Sequence, residues 1–207
     1  MKILAINGSH RKGMNVSKML NAALEEAKKQ GASTELVEIT DYEIKPCISC
    51  NKCLFKPECK IDNDDMKELY DKLQEADGII IGSPVYFSNV TGRLKTFMDR
   101  TRPLHMTKNY LEDKVGAGVV HAGLRNGGQE LTLELIQHFL IGHGLLVVGD
   151  RKGKQPIISL GAMGTMCEDF DGKKLEFKQS VEEDDLAMES SRRVGKNVAE
   201  LIKKLSN

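Results

Sequence analysis

The sequence predicts an α/β protein built on one doubly wound parallel sheet, and three observations carry that expectation. Short apolar runs of strand length alternate with amphipathic helical patterns along the chain. The runs lack the polar alternation of a half-exposed strand, so both faces of the sheet must be covered. Parallel strand–helix–strand connections are right-handed almost without exception, which places helices on both sides. With 207 residues, the stretch 1–207 reads as one domain carrying insertions. Apolar residues make up 40% and charged residues 29%, an ordinary globular composition. Thirty Lys and Arg balance thirty Asp and Glu, so no global basic field exists to hold nucleic acid or an anionic membrane. No apolar run approaches the roughly 18 residues of a membrane helix, and the apolar start breaks at Gly8, too early for a signal peptide. The expected compartment is the cytoplasm.

Each element has its own signal. Lys2 to Asn7 is a buried strand that stops at Gly8-Ser9. A polar loop leads into a helix with Met19, Leu20, Ala23, Leu24 and Ala27 on one side. Glu35 to Ile39 is the second strand, and Asp65 to Gln74 a helix with Met66, Leu69, Tyr70 and Leu73 inward. Gly78 to Gly82 is the third strand, stopped by Ser83-Pro84. Thr91 to Arg100 is helical, Val115 to His121 a strand, Gln129 to Ile141 a helix and Leu145 to Val148 the fifth strand. The last helix is expected from about Glu182 to Leu205. Residues 41–63 and 150–181 break the rhythm and read as two insertions; long loops in a compact domain are usually functional.

The loop after the first strand, Gly8 to Ser17, holds what a phosphate needs: hydroxyls at Ser9 and Ser17, a cation at Arg11, and the free N–H groups of a helix start. It has neither the Walker nor the dinucleotide glycine spacing. The plainer reading makes Asn15 a helix cap and the rest a solvated turn. Two further loops follow strands three and four, Gly82 to Arg100 and His121 to Glu130, rich in Gly, aromatic and amide groups. Ligands of open α/β sheets bind beyond the carboxyl ends of the strands, and three such loops suit an aromatic mononucleotide. His121 could serve as a proton donor there, but a histidine at a strand end reads better as structural.

These loops carry a resemblance. Gly8-Ser9-x-Arg11-x-Gly13-x-Asn15-x-Ser17, then Gly82-Ser83-Pro84-Val85-Tyr86 with Lys95-x-Phe97-x-Asp99-Arg100, then Gly127-Gly128-Gln129-Glu130, resemble the flavodoxin-like FMN reductase superfamily. The resemblance implies a five-stranded order of 2-1-3-4-5 and one FMN per chain. It implies that Ser9, Arg11, Asn15, Val16 and Ser17 hold the phosphate. Pro84, Val85, Tyr86, Phe87 and Asn89 would lie along the isoalloxazine and ribityl chain, with Gly123, Arg125, Asn126, Gly127 and Gly128 on its other side. No side chain is assigned a catalytic role.

Four of the five cysteines, Cys47, Cys50, Cys53 and Cys59, fall in thirteen residues with spacing C-x2-C-x2-C-x5-C. In a reducing compartment such a cluster points to metal or redox chemistry. The C-x2-C-x2-C core is that of bacterial ferredoxins, which favours a [4Fe–4S] cluster. A zinc site and free or disulfide-forming thiols remain open alternatives. A cysteine motif at this point of the fold resembles the iron–sulfur flavoproteins, and that resemblance implies a ferredoxin-like electron donor and dimers or tetramers. Lys45, Lys52, Lys56 and Lys60 flank the motif and would offer a basic face to an acidic donor. Cys167 stands alone and reads as a small buried hydrophobe. Apolar groups in the two insertions (Ile48, Leu54, Phe55, Ile157, Ile158, Leu160, Met163, Met166) predict a self-association surface, with the cysteine loop near a neighbour's flavin. The competing functions are an NAD(P)H-dependent FMN or quinone reductase without a cluster, and a non-enzymatic flavin sensor.

Overall fold

A computed structural model describes residues 1–151 and 160–206; Ile157 and Ile158 lie outside the described residues. Five parallel strands run in the order β2-β1-β3-β4-β5: β1 (Lys2–Asn7), β2 (Ser33–Glu38), β3 (Gly78–Pro84), β4 (Val115–Ala122) and β5 (Leu146–Val147). Helices α1 (Asn15–Lys29) and α5 (Asp185–Leu205) cover one face, and α2 (Met66–Glu75), α3 (Gly92–Arg100) and α4 (Gln129–Gly142) the other. The central strands are apolar on both sides for that reason. Ile3 and Ala5 of β1 pack under α1 and α5, while Leu4 and Ile6 face the opposite layer.

Four expectations about the carboxyl-terminal third need correction. The fifth strand is two residues long and pairs only with Val115 and Gly116. The upper half of β4 is paired instead by β6 (Ala162–Thr165), whose residues run parallel to Val119–Ala122. An uncovered edge along buried β4 would leave backbone N–H and C=O groups without partners, and β6 supplies them. Residues 150–181 are therefore no plain insertion: they contain a strand of the main sheet and a hairpin, β7 (Cys167–Phe170) with β8 (Leu175–Phe177). Met163 packs against the core in consequence rather than adding to an apolar surface. The last helix also starts later than expected, because Asp184 accepts from the Ala187 N–H at 3.1 Å and sets its beginning at Asp185.

Among the described glycines, the closest backbone approach is where α5 crosses α1. A β-carbon at Gly195 would stand 1.9 Å from the Ala23 carbonyl oxygen, so the two helix backbones touch where α5 lacks a side chain. Through this crossing α5 fixes α1, and with it the loop that precedes α1.

Candidate functional site

Because the main-sheet strands are parallel, the loops after β1, β3 and β4 emerge at one end of the sheet. Named bonds draw them together. Thr91 Oγ1 donates to the Gly8 carbonyl at 2.6 Å, and the Val85 N–H donates to the His121 carbonyl at 2.8 Å. His10 stacks on Tyr86 with ring centroids 5.7 Å apart. Arg125 reaches the Glu168 carbonyl at 3.3 Å, joining the third loop to β7.

The loop after β1 has an open helix end at its centre. Met14 occupies the cap position of α1 and offers no side-chain hydrogen bond, and no acidic residue stands in the first turn. Asn15 is thus the first helical residue, not the cap. Its side chain is committed elsewhere: Oδ1 accepts from the Val181 N–H at 3.2 Å, and Nδ2 lies 3.4 Å from His121 Nε2 and 3.1 Å from Met166 Sδ. The backbone N–H groups of Asn15, Val16 and Ser17 have no partner within the helix, as at any helix start. Arg11 is exposed, and among the described residues its guanidinium has no ion-pair partner. Lys12 beside it is paired with Asp41 at 2.5 Å. Ser9 is buried, and its Oγ accepts from the Arg11 N–H at 3.0 Å, which curls the loop around that position.

Beneath the loop lies a residue that sequence reading did not single out. Glu38, at the end of β2, is buried and accepts from Asn7 Nδ2 at 2.6 Å, Ser17 Oγ at 2.7 Å and the Gly13 N–H at 3.3 Å. The Ser17 hydroxyl proton is therefore spent on Glu38, and the group Ser17 has left to offer an anion is its N–H. Nothing in the local sequence distinguishes Glu38 from any acid at a strand end.

The second loop ends in a tight hairpin turn. Tyr86 and Asn89 exchange N–H···O bonds of 2.9 and 3.1 Å across Phe87 and Ser88, which have φ of 50° and 57°. Two successive positive φ values are the mark of a type I′ turn, normally given to Asn or Gly. Here it holds Phe87 wholly exposed, with Tyr86 half-exposed beside it. Gly128 fits against this tip: it has φ of 98°, and a β-carbon there would lie 2.5 Å from Ser88 Oγ. Pro84 and Val85 are half-buried at the foot of the hairpin; Asn89, Gly123, Arg125 and Asn126 are exposed along the rim, and Gly127 is half-buried. The donor set fits a phosphate at one end, where an uncapped helix start meets an unpaired arginine. It fits a planar ring at the other, where exposed aromatics face a glycine-lined loop.

His121 is buried where these loops meet. Burial pushes its pKa down to about 4, the Arg11 charge adds to that, and Asp184 opposes it. It is neutral at pH 7, as befits a structural group. His143, buried elsewhere, is likewise lowered to about 4 by burial and by His105. Thr101 donates its hydroxyl proton to the Met98 carbonyl, so at 2.9 Å it can only accept from His143 Nε2–H, and a proton added at Nδ1 would find no partner. For both rings the folded pKa lies below the ordinary value of 6.5. Their stabilisation is complete above that pH and drains away as pH falls toward 4. Between pH 6.5 and 5 the loss should be on the order of 2 kcal/mol per ring. Urea unfolding at several pH values checks this, with His143→Gln expected to flatten the slope.

The cysteines form a separate hollow. Cys47, Cys50, Cys53 and Cys59 all line it, with Arg100, Arg102 and Pro103 from the end of α3 and the turn after it. Ser49 and Asn51 have φ of 52° and 58°, and a 3-10 turn spans Lys52–Leu54. Left-handed residues at alternate positions coil the chain so that cysteines three apart meet the same space. Cys53 is buried, Cys59 half-buried, and Cys47 and Cys50 exposed. Arg100 holds both ends of this loop: Nη1 donates to the Lys45 carbonyl at 2.6 Å and to Asp64 at 2.5 Å, and Nη2 donates to Asp64 at 3.2 Å and the Ile61 carbonyl at 3.4 Å. Both side chains of the Arg100–Asp64 pair are 1% exposed. Burial works against the Asp64 charge, but Arg100 and the Lys45 and Met66 N–H groups outweigh it and hold the carboxyl below its usual range. Of the flanking lysines, Lys45 and Lys52 face Glu43 and Glu58 at 3.8 and 3.1 Å, which trims the expected basic face to Lys56 and Lys60. Ile48, Leu54 and Phe55 on the same loop are exposed, as is Leu160. Cys167 is buried, away from these four.

The hollow and the nucleotide-type loops stand at opposite ends of α3. Thr91, which caps α3, touches Gly8, whereas Arg100 closes its last turn. Nine steps of about 1.5 Å from Thr91 to Arg100 put them about 13 Å apart along the axis.

The model of the family described as NADPH-dependent FMN reductase matches residues 1–152. An iron–sulfur flavoprotein of Methanocaldococcus jannaschii is 40% identical over 203 residues, covering 98% of each chain. One from Archaeoglobus fulgidus is 37% identical, covering 100% of this chain and 98% of its own. Among solved structures, RosB with a bound 8-demethyl-8-formylriboflavin-5'-phosphate superposes with a TM-score of 0.74 at 16% identity, over 100% of this chain and 80% of that one. A flavodoxin-type, WrbA-like protein from Agrobacterium tumefaciens gives 0.62 at 18% identity, over 98% and 97%. These two share the fold, and its flavodoxin-like strand order is the one observed here. Sequence match, cysteine motif and sheet order together lead to one conclusion: the chain belongs to the NADPH-dependent FMN reductase family, among its iron–sulfur flavoproteins.

Proposed function

We propose that this protein is an electron-transfer flavoprotein that takes electrons one at a time from a ferredoxin-like donor into a [4Fe–4S] cluster held by Cys47, Cys50, Cys53 and Cys59, and passes them to FMN. The observation that carries this reading is the convergence of all four cysteines on one hollow within the same fold that presents the three loops. A single zinc ion with Zn–S of about 2.3 Å would draw its sulfurs to about 3.8 Å of one another by tetrahedral geometry. The relatives named iron–sulfur flavoproteins, 40% and 37% identical over nearly the whole chain, favour a cluster over a single zinc ion in this hollow. When bound, the cluster exchanges single electrons and the flavin one or two, so the pair converts between the two kinds of carrier. Arg11 and the first N–H groups of α1 would hold the phosphate. The hairpin with Tyr86 and Phe87 and the loop 123–128 would border the ring, and N–H donors there would favour the charge that reduction adds. The exposed apolar groups of the cysteine loop support self-association into a homodimer or homotetramer.

Anaerobic purification with iron, sulfide and flavin assays tests the reading directly. About four irons and one FMN per chain are expected; flavin without iron would move the protein to the plain reductase reading. Arg11→Ala should weaken FMN binding to apoprotein by about 1.5–3 kcal/mol, the worth of a charge-assisted phosphate contact. Unchanged affinity in a calorimetric titration would place the phosphate elsewhere.

A further inference from the structure

Arg100 carries five N–H donors, as every guanidinium does. Four are accounted for by Asp64, the Lys45 carbonyl and the Ile61 carbonyl. The fifth, on Nε, is buried and has no partner among the described residues. An unmet buried donor on a charged group is costly, and this one belongs to a side chain that forms part of the wall around the four cysteines. The bidentate grip of Asp64 fixes the guanidinium plane, so Nε cannot turn away to find water.

We infer that Arg100 Nε–H is a hydrogen-bond donor reserved for an anionic sulfur, thiolate or sulfide, of the cluster held in the hollow, and that it sets the cluster's reduction potential. The inference rests on the cluster reading above. A fixed cation and an N–H···S bond both stabilise the more negative, reduced cluster and so raise its potential. Lysine at this position would keep the charge but could not hold Asp64, both loop ends and a sulfur at once.

Wild-type holoprotein labelled with 15N-arginine and reduced anaerobically with dithionite supplies the test. Pulsed electron paramagnetic resonance of the reduced cluster should show a nitrogen coupling that changes between 14N- and 15N-arginine samples. The coupling should persist in Arg102→Lys, the other arginine at the hollow, and vanish in Arg100→Lys. A redox titration of Arg100→Lys should show reduction made about tenfold less favourable, a fall of 59 mV for one electron. If Arg100→Lys fails to retain a cluster, the wild-type and Arg102→Lys spectra decide alone. A cluster without arginine coupling, coupling that survives Arg100→Lys, or an unchanged potential would each overturn the assignment. Lack of iron and sulfide in the wild type would instead remove the cluster reading beneath it, and the elemental assays tell the two failures apart.

Discussion

Cys50→Ala is expected to strip the protein of its iron while leaving its flavin in place. Cys50 lies at the centre of the C-x2-C-x2-C core, flanked by the left-handed residues Ser49 and Asn51 that coil the loop. Alanine tolerates the same backbone and removes only the sulfur. A cluster missing one of its cysteine ligands loses a covalent anchor, so iron content should fall to near zero rather than by a fraction. The flavin should stay because the loops proposed to hold it are tied to one another through Thr91, Val85 and His10, not through the cysteine segment. Iron and flavin assays on anaerobically purified variant and parent decide the matter. Loss of both together would mean that the cysteine loop supports the flavin site across the length of α3.

Gly195→Ala should be the most damaging single methyl at any described glycine. The added carbon would meet the Ala23 carbonyl oxygen at 1.9 Å and the carbonyl carbon at 2.5 Å. Backbone cannot rotate aside as a side chain would, so α5 and α1 must separate along their whole crossing. Overpacking typically costs 1–3 kcal/mol, and a backbone obstruction belongs at the upper end or beyond, about 3 kcal/mol. For a chain of this size that lowers Tm by about 6–12 °C. Gly92→Ala is the control, since nothing stands within 4 Å of its missing β-carbon. Equal melting temperatures for the two variants would show that the crossing yields. The same shift should weaken flavin binding, because α1 carries the open helix end at Asn15.

Much of this was legible in the residues, and the limits of legibility were physical. β1, β3 and β4 announce themselves because a strand buried on both faces leaves an unbroken apolar run. The cysteine motif is legible because cluster ligation is local in sequence. β6 was missed since Ala162-Met163-Gly164-Thr165 has little strand propensity, and it forms where β4 leaves an edge to be paired. Asn15 looked like a helix cap on residue type, yet its side chain bonds to Val181, far along the chain. Glu38 and Arg100 were silent as site groups for the same reason. Each earns its place through partners remote in sequence, Ser17 and Gly13 for one, Lys45 and Asp64 for the other.

The grip of Arg100 on both ends of the cysteine loop changes the thermodynamics of assembly. Lys45 and Asp64 are 19 residues apart and are joined directly by an N–H···O bond of 2.9 Å, with Arg100 bridging them from outside. Closing a flexible loop of that length costs about 2.6 kcal/mol in chain entropy, apart from a constant. Here the neck is closed by hydrogen bonds between protein groups, none of them a thiol. The thiols therefore enter the reaction preorganised, and that entropy need not be drawn from the iron–sulfur bonds. On the cluster reading proposed above, cluster binding would draw on a loop whose neck the protein itself already holds together.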